Sequence, residues 1–312
     1  MTRPDGRPAG GSGRATPAPD GASPTGAPHT GATPRDGVSL RGTALVREPS
    51  PRLADGIVTH LTRSPVDVDL ARDQHRRYVE ALAAHGWQPV PVGDGDPHPD
   101  GVFVEDTAVV VGDLAVLTRP GAPTRRAEVA AVRAALTRLG VATVDLAGPG
   151  SPDTPGAPDR PGTLDGGDVL QVGDTVYVGR GDRTDAAGIR RLRSLLEPAG
   201  RRVVPVSTRG TLHLKSAVTA LPDGTLLGLT ELLDADGLPS MRRPPEPEGA
   251  HVVPLGDGGV LLAASAPRTA QWLDDLGFAV TVVDVGEFEK LEGCVTCLSV
   301  LLPGVAAGEA AA

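Results

Sequence analysis

Cysteine is nearly absent from this chain. Only Cys294 and Cys297 occur in 312 residues, both within Glu292-Gly293-Cys294-Val295-Thr296-Cys297-Leu298-Ser299. Two cysteines three apart exclude a disulfide framework. Aromatic residues make up 2% against 39% hydrophobic residues overall, so the core must be built from Val, Leu and Ala. Lysine is as scarce as cysteine, with Lys215 and Lys290 the only two among 30 basic residues. That arginine bias, alongside abundant Ala, Gly and Pro, reads as base composition rather than function. Positive charge is in deficit, with a formal net charge of −9, which argues against nucleic acid as a partner. No run approaches the roughly 18 apolar residues of a membrane span, so no membrane partner is expected. Neither a G-x-G-x-x-G following a strand nor a Walker A loop is present, which withdraws support from nucleotide-binding folds.

What is present begins with a tail. Residues 1–40 are Gly, Pro, Ala, Thr and Ser with scattered charge and no secretory h-region. They cannot bury enough apolar surface to offset ordering entropy and read as disordered, as does the end at 306–312. The remainder, 41–305, reads as one catalytic domain, and a cytoplasmic location with reduced thiols is expected.

Within that domain one pattern recurs. A strand over 102–111 turns at Gly112-Asp113 into 114–118, followed by a helix from Pro123-Thr124 to Leu139 and a strand over 141–144. A Pro/Gly/Asp loop at 146–162 separates it from a second unit, opening at Leu164-Asp165-Gly166-Gly167-Asp168 and turning at Gly173-Asp174. A third opens at Leu212-His213-Leu214-Lys215 and turns at Asp223-Gly224. A fourth opens near His251 and turns at Asp257-Gly258. The last run, 295–302, can pair with an N-terminal strand over 43–47 and a helix capped by Asp67 as a fifth unit. Strand–turn–strand–helix–strand units of about 40 to 60 residues, with antiparallel hairpins that an ordinary doubly wound sheet lacks, point to an α/β fold: a five-fold pseudo-symmetric α/β propeller.

Polar residues interrupt the first strand of several units: Glu105 and Asp106, Asp165 and Asp168, His213, and Cys297. Such groups are costly in a buried strand unless paired or used. Each also has a plain structural reading. The cysteines can be small buried hydrophobes. In a strand, i and i+3 face opposite ways, so the two thiols would not share a site without a bend. Cys297, between Thr296 and Ser299, is the better candidate nucleophile. His213 can be a satisfied core histidine, although its neighbour Lys215 favours function; most other histidines read as surface groups. The glycines at 166 and 167 mark a tight bend or a close backbone approach. Arg125-Arg126 at a helix start suits the macrodipole poorly and is either incidental or an anion site.

Taken in order, Val102-Phe103-Val104-Glu105-Asp106, Thr118-Arg119-Pro120-Gly121-Ala122-Pro123-Thr124-Arg125-Arg126, Leu164 to Val169, Arg183-Thr184, Leu212 to Lys215 and Val295-Thr296-Cys297-Leu298-Ser299 resemble the dimethylarginine dimethylaminohydrolases of the guanidino-group-modifying superfamily. The resemblance covers about residues 43 to 302 and implies a five-unit propeller that uses no cofactor and no catalytic metal. It implies Cys297 as nucleophile, His213 as general acid/base and Asp165 as its orienting carboxylate. Glu105 and Asp106 match the groups that hold the guanidinium, and Arg125 and Arg183 the pair that grips the α-carboxylate. Asp100 with backbone groups of Ile57 and Leu291 matches the α-amino site, and Asp55-Gly56-Ile57 a mobile lid. The implied partner is a methylated arginine, hydrolysed to citrulline and a methylamine. A homodimer, and inhibitory zinc at Cys297 and His213, are further expectations. The chain departs from the family at Glu292, where Asp is usual, and at His251, where Asn is expected. Arginine deiminase or another amidine hydrolase on the same scaffold, and a non-catalytic arginine- or metal-binding relative, stay open as alternatives.

Overall fold

The computed structural model describes residues 40–93, 98–148, 161–234 and 236–307. Nearly all of the N-terminal tail, most of the C-terminal end and the centre of the 146–162 loop lie outside them. The described residues fold into fifteen strands: β1 (Gly42–Val46), β2 (Trp87–Pro91), β3 (Ala108–Val111), β4 (Leu114–Leu117), β5 (Ala142–Asp145), β6 (Val169–Val172), β7 (Thr175–Arg180), β8 (Arg202–Ser207), β9 (Val218–Ala220), β10 (Leu226–Gly228), β11 (Met241–Arg242), β12 (Val252–Gly256), β13 (Gly259–Ala263), β14 (Ala279–Val283) and β15 (Val300–Pro303). They form five three-stranded sheets, ordered β15-β1-β2, β3-β4-β5, β6-β7-β8, β9-β10-β11 and β12-β13-β14. In every sheet the first pair is antiparallel and the second parallel. Five repeats of one pairing scheme agree with the expected propeller. The first sheet is completed by the last strand, with Ala44 opposite Leu301.

A parallel pair needs a crossover, and four units use a helix for it: α1 (Val68–Ala84), α2 (Val129–Arg138), α3 (Ala186–Leu196) and α4 (Pro267–Asp275), with a short α5 (Gly286–Glu289) before the cysteine run. Asp67 caps α1 as expected, its Oδ1 accepting from the N–H groups of Asp69 and Leu70 at 3.1 and 3.0 Å. Hairpins turn where the Gly-Asp and Asp-Gly pairs predict; Gly112 and Gly173 take φ of 58° and 57°, torsions that suit glycine.

The structure corrects one element in each of four units. The stretches expected to open as strands open instead as 3₁₀ turns: Val104–Thr107, Gly166–Asp168, Leu214–Ser216 and Val295–Leu298. The strand follows each turn. A 3₁₀ turn leaves some backbone groups without ladder partners, so polar side chains fit where a strand interior would have excluded them. Continuous apolar sequence at 102–104 and a run at 294–298 broken only by Thr296 hid the turns, because burial on both faces looks the same in a strand and in a buried turn.

Candidate active site

The four turns meet where the first strands begin. Asp165 sits at the start of the Gly166–Asp168 turn and is fully buried. Its Oδ1 accepts from the Gly121 N–H at 2.8 Å, and its Oδ2 lies 3.0 Å from His213 Nε2. Glycine is required at 121, because a Cβ there would lie 2.4 Å from the carbonyl oxygen of Arg183. His213 begins the next turn, 3% exposed, and Asp168 Oδ1 holds that turn by accepting from the Leu214 N–H at 2.9 Å. His213 Nε2 is also 3.8 Å from Asp106 Oδ1. A Cβ at Gly167 would come within 2.6 Å of the imidazole Nδ1 and 2.8 Å of Asp106 Oδ1, so this glycine is what admits the ring and the carboxylate together.

Electrostatics follow from that crowding. Burial opposes charge on His213, but Asp106, the hydrogen bond to Asp165 and the Asp168 charge prevail and raise its pKa to about 9. Burial likewise opposes ionisation of Asp106, yet His213 and Arg125 hold its carboxyl down at about 2. The site at neutral pH therefore contains an imidazolium against an ionised carboxylate.

Eight of the ten expected site residues line one cavity: Ile57, Asp100, Asp106, Arg125, Arg183, His213, Leu291 and Cys297. Asp165 stands behind His213. Glu105 does not reach the cavity. Its carboxylate accepts from Lys215 Nζ at 2.5 Å and from Thr296 Oγ1 at 3.1 Å, and it faces a separate cavity at the first-strand edges of the sheets. The two residues adjacent in sequence point apart because the 3₁₀ turn rotates successive side chains by about a third of a turn. Arg125 is 4% exposed, and its three nitrogens already donate to Asp106, Glu128 and the carbonyls of Asp100 and Phe103. Arg183 is less committed, 3.4 Å from Thr59 Oγ1 and 3.8 Å from Asp165. Asp100 Oδ1 accepts from the Ile57 N–H at 2.9 Å. A Cβ at Gly56 would lie 3.1 Å from that oxygen, so close approach to Asp100 accounts for glycine here; its torsions (φ −52°, ψ 157°) are open to any residue.

The cavity holds about 20 Å³, room for a water and no more. Ile57 lines it, and residues 59–61 of the same segment are tied down by Glu292, whose carboxylate accepts from the N–H groups of Thr59 and Leu61 at 2.8 and 2.9 Å and from that of His60. Glu292 takes a left-handed φ of 62°, which turns the chain out of α5 and aims its side chain at this segment. His251, the other departure, bonds the Ser216 carbonyl at 2.9 Å.

The thiols were expected on opposite faces of a strand. The structure places Cys294 at the start of the Val295–Leu298 turn and Cys297 inside it, with their sulfurs 3.4 Å apart. Cys294 therefore touches the candidate nucleophile as well as the apolar core. Glu292 lines the cavity and Lys215 braces Glu105 from outside it; sequence reasoning assigned neither to the site. Lysine scarcity and the departure from the family pattern were the signals for them; for Cys294 the spacing was, once a turn replaces the strand. Among the described residues, one group of carboxylates and imidazole has ligand atoms converging as a metal site would require: Asp106, Asp165 and His213, without Cys297.

Comparison with known proteins decides the family. Residues 94–253 match the arginine deiminase family model. The N(G),N(G)-dimethylarginine dimethylaminohydrolase of Streptomyces coelicolor is 56% identical over 262 residues, covering 83% of this chain and 96% of that protein. The chain belongs to the dimethylarginine dimethylaminohydrolase family. The Pseudomonas aeruginosa dimethylarginine dimethylaminohydrolase is 30% identical over 259 residues, 82% of this chain and 97% of that protein. A solved structure of that Pseudomonas dimethylarginine dimethylaminohydrolase, a mutant complexed with citrulline, superposes with a TM-score of 0.73 at 29% identity, covering 84% of this chain and all of that one.

Proposed function

We propose that this chain hydrolyses N-omega-methylated arginine to citrulline and a methylamine, with Cys297 as nucleophile, His213 as acid and base, and Asp165 as the carboxylate that orients His213. The observation that carries this reading is the convergence of Cys297, His213 and Asp106 with Asp100, Arg125 and Arg183 on one small cavity.

A guanidinium carbon is a poor electrophile, because its charge is delocalised over three nitrogens. Asp106, ionised and fixed by Arg125, offers an acceptor for the guanidinium N–H groups and sets their plane beside the thiol. The Cys297 thiol is raised well above its ordinary pKa by its contact with Cys294, by burial and by the Glu105 and Asp106 charges. It is therefore protonated in the free enzyme, and arrival of the substrate cation beside it favours the thiolate. Thiolate attack forms a tetrahedral adduct. His213, already an imidazolium, gives its proton to the departing dimethylamine nitrogen. The neutral ring then takes a proton from the water that attacks the S-alkylthiouronium, and collapse releases citrulline and Cys297. Asp100 with the backbone at Ile57 and Leu291 receives the α-ammonium. Arg183 and Arg125 face the α-carboxylate, with Arg183 the freer donor. Glu105, paired with Lys215 and bonded to Thr296, supports the cysteine turn from outside the cavity.

Movement of the segment that carries Asp55-Gly56-Ile57 admits the substrate, since a cavity of about 20 Å³ is too small for it. Zinc would inhibit by capturing the Cys297 thiolate and the His213 imidazole. Pairing as a homodimer and work in the cytoplasm complete the reading; no helix among the described residues is long and apolar enough to cross a membrane. Incubation with asymmetric dimethylarginine, arginine and agmatine separates this activity from its relatives. Citrulline from dimethylarginine supports it, and citrulline from arginine alone would assign the chain to the deiminases.

A further inference from the structure

The mechanism leaves one buried nucleophilic group without work. Cys294 is 4% exposed and lies in the apolar cluster with Phe103, Phe288 and Leu298, yet its sulfur faces chemistry. Cys294 Sγ is 3.4 Å from Cys297 Sγ and 3.3 Å from Thr296 Oγ1, and its own N–H points at Cys297 Sγ at 3.4 Å. Sulfurs at that distance are in van der Waals contact, and a displacement of somewhat over 1 Å brings them to bonding distance. The turn between them has a bond from the Cys297 N–H to the Cys294 carbonyl at 3.1 Å, so the short loop that a disulfide would close is already formed. Only Cys297 lines the cavity, so a small oxidant entering by the substrate's route meets that sulfur first.

We infer that Cys294 is a resolving thiol, which converts an oxidised Cys297 into a reversible Cys294–Cys297 disulfide and so stores the enzyme in an inactive, recoverable form. The inference rests on Cys297 being the reactive thiol of the proposed function. The oxidant is a hydroperoxide. Cys297, mostly protonated in the free enzyme, reacts through its minor thiolate form: the thiolate attacks the terminal peroxide oxygen, the O–O bond breaks, and Cys297 becomes a sulfenic acid while the peroxide is reduced to water or an alcohol. Cys294 thiolate then attacks the sulfenic sulfur; the S–S bond forms, the S–O bond breaks, and the hydroxide leaves as water after taking up a proton. A dithiol reverses the step by exchange. Shared burial disfavours two adjacent thiolates, so before the first step the pair holds one thiolate and one thiol; once Cys297 is a sulfenic acid that repulsion is gone, and Cys294 can give up its proton for the second step.

The test uses the whole chain treated with hydrogen peroxide, alkylated, and cut into fragments for mass measurement. In the wild type, the fragment spanning both cysteines should lose about 2 Da and take up no alkylating agent. Activity should fall in parallel, and dithiothreitol should restore about nine-tenths or more of it. In Cys294→Ser the same fragment should gain about 32 Da, the mass of a sulfinate, and dithiothreitol should restore under about one-tenth of the lost activity. A wild-type fragment that gains about 32 Da without forming the disulfide overturns the inference. So does a folded Cys294→Ser protein, judged by circular dichroism, that dithiothreitol rescues as fully as the wild type. If that variant does not fold, the wild-type mass decides alone. The mass does not depend on turnover, so failure to hydrolyse dimethylarginine would sink the proposed function and leave the disulfide result legible.

Discussion

His213 is held by carboxylates on several sides, and its acidity is where the account can be pressed at a single residue. Asp165→Asn removes one anion and leaves at most a neutral amide acceptor where the carboxylate lies 3.0 Å from His213 Nε2. The imidazolium should then lose its proton at lower pH than about 9, because an anion that favoured the cation is gone. The alkaline limb of kcat/KM should move down in pH and kcat should fall by about 10²; an unmoved limb would show that Asp165 does not set the ring's charge. His75 tests burial of a different kind. Most histidines outside the site read as surface groups from sequence, but this one lies 4% exposed in α1, and burial lowers its pKa from 6.5 to about 4. The unfolded chain binds a proton between those values that the folded chain refuses. This contribution to stability is therefore fully present above pH 6.5, is lost as pH falls toward 4, and amounts to roughly 3 kcal/mol. In His75→Gln the linkage is gone, so denaturation measured from about pH 7 to about pH 4 should shift the stability difference toward the variant by that amount. A constant difference would show that the ring is protonated in the fold.

At the scale of elements, the 3₁₀ turns and the segment at the cavity carry the function. Gly166 belongs to the first: a Cβ there would lie 2.0 Å from the Glu105 carbonyl oxygen, a backbone atom that cannot swing aside. Gly166→Ala should cost about 1–3 kcal/mol, read as a lower unfolding midpoint, by forcing apart the turns that carry Asp106 and Asp165. That segment depends on Glu292, with three backbone N–H groups on one carboxylate. Glu292→Gln removes the charge from these hydrogen bonds. Amide exchange at Thr59, His60 and Leu61 should quicken by roughly tenfold, because charge-assisted bonds are the stronger ones; unchanged exchange would place the hold on this segment elsewhere. Here sequence reasoning reached its limit. Periodicity found the strands, the hairpins and the Asp67 cap, because those follow from local spacing. The turns were hidden within apolar runs, so the i, i+3 pairing of Cys294 with Cys297 and the divergence of Glu105 from Asp106 were not legible.

At the scale of the molecule, the five-fold repeat was legible because four of the units carry a Gly-Asp or Asp-Gly turn and four carry a polar interruption. Closure of the last strand onto the first was legible as an unpaired remainder at each end of the repeat, and β15 beside β1 fulfils it. The site was legible mainly through the ordered motifs. Composition excluded partners but named no substrate, and spacing alone left His213 and Cys297 with structural readings. The fold resolves this by bringing side chains from 57 to 297 around one cavity, which no local pattern encodes. The central claim is that Cys297 attacks a methylated guanidinium. The most direct measurement is citrulline and dimethylamine formed from asymmetric dimethylarginine by the wild type and by Cys297→Ser. Equimolar products from the wild type, and at least a ~10³-fold loss in the variant, are predicted. Full hydrolysis by Cys297→Ser would contradict the account.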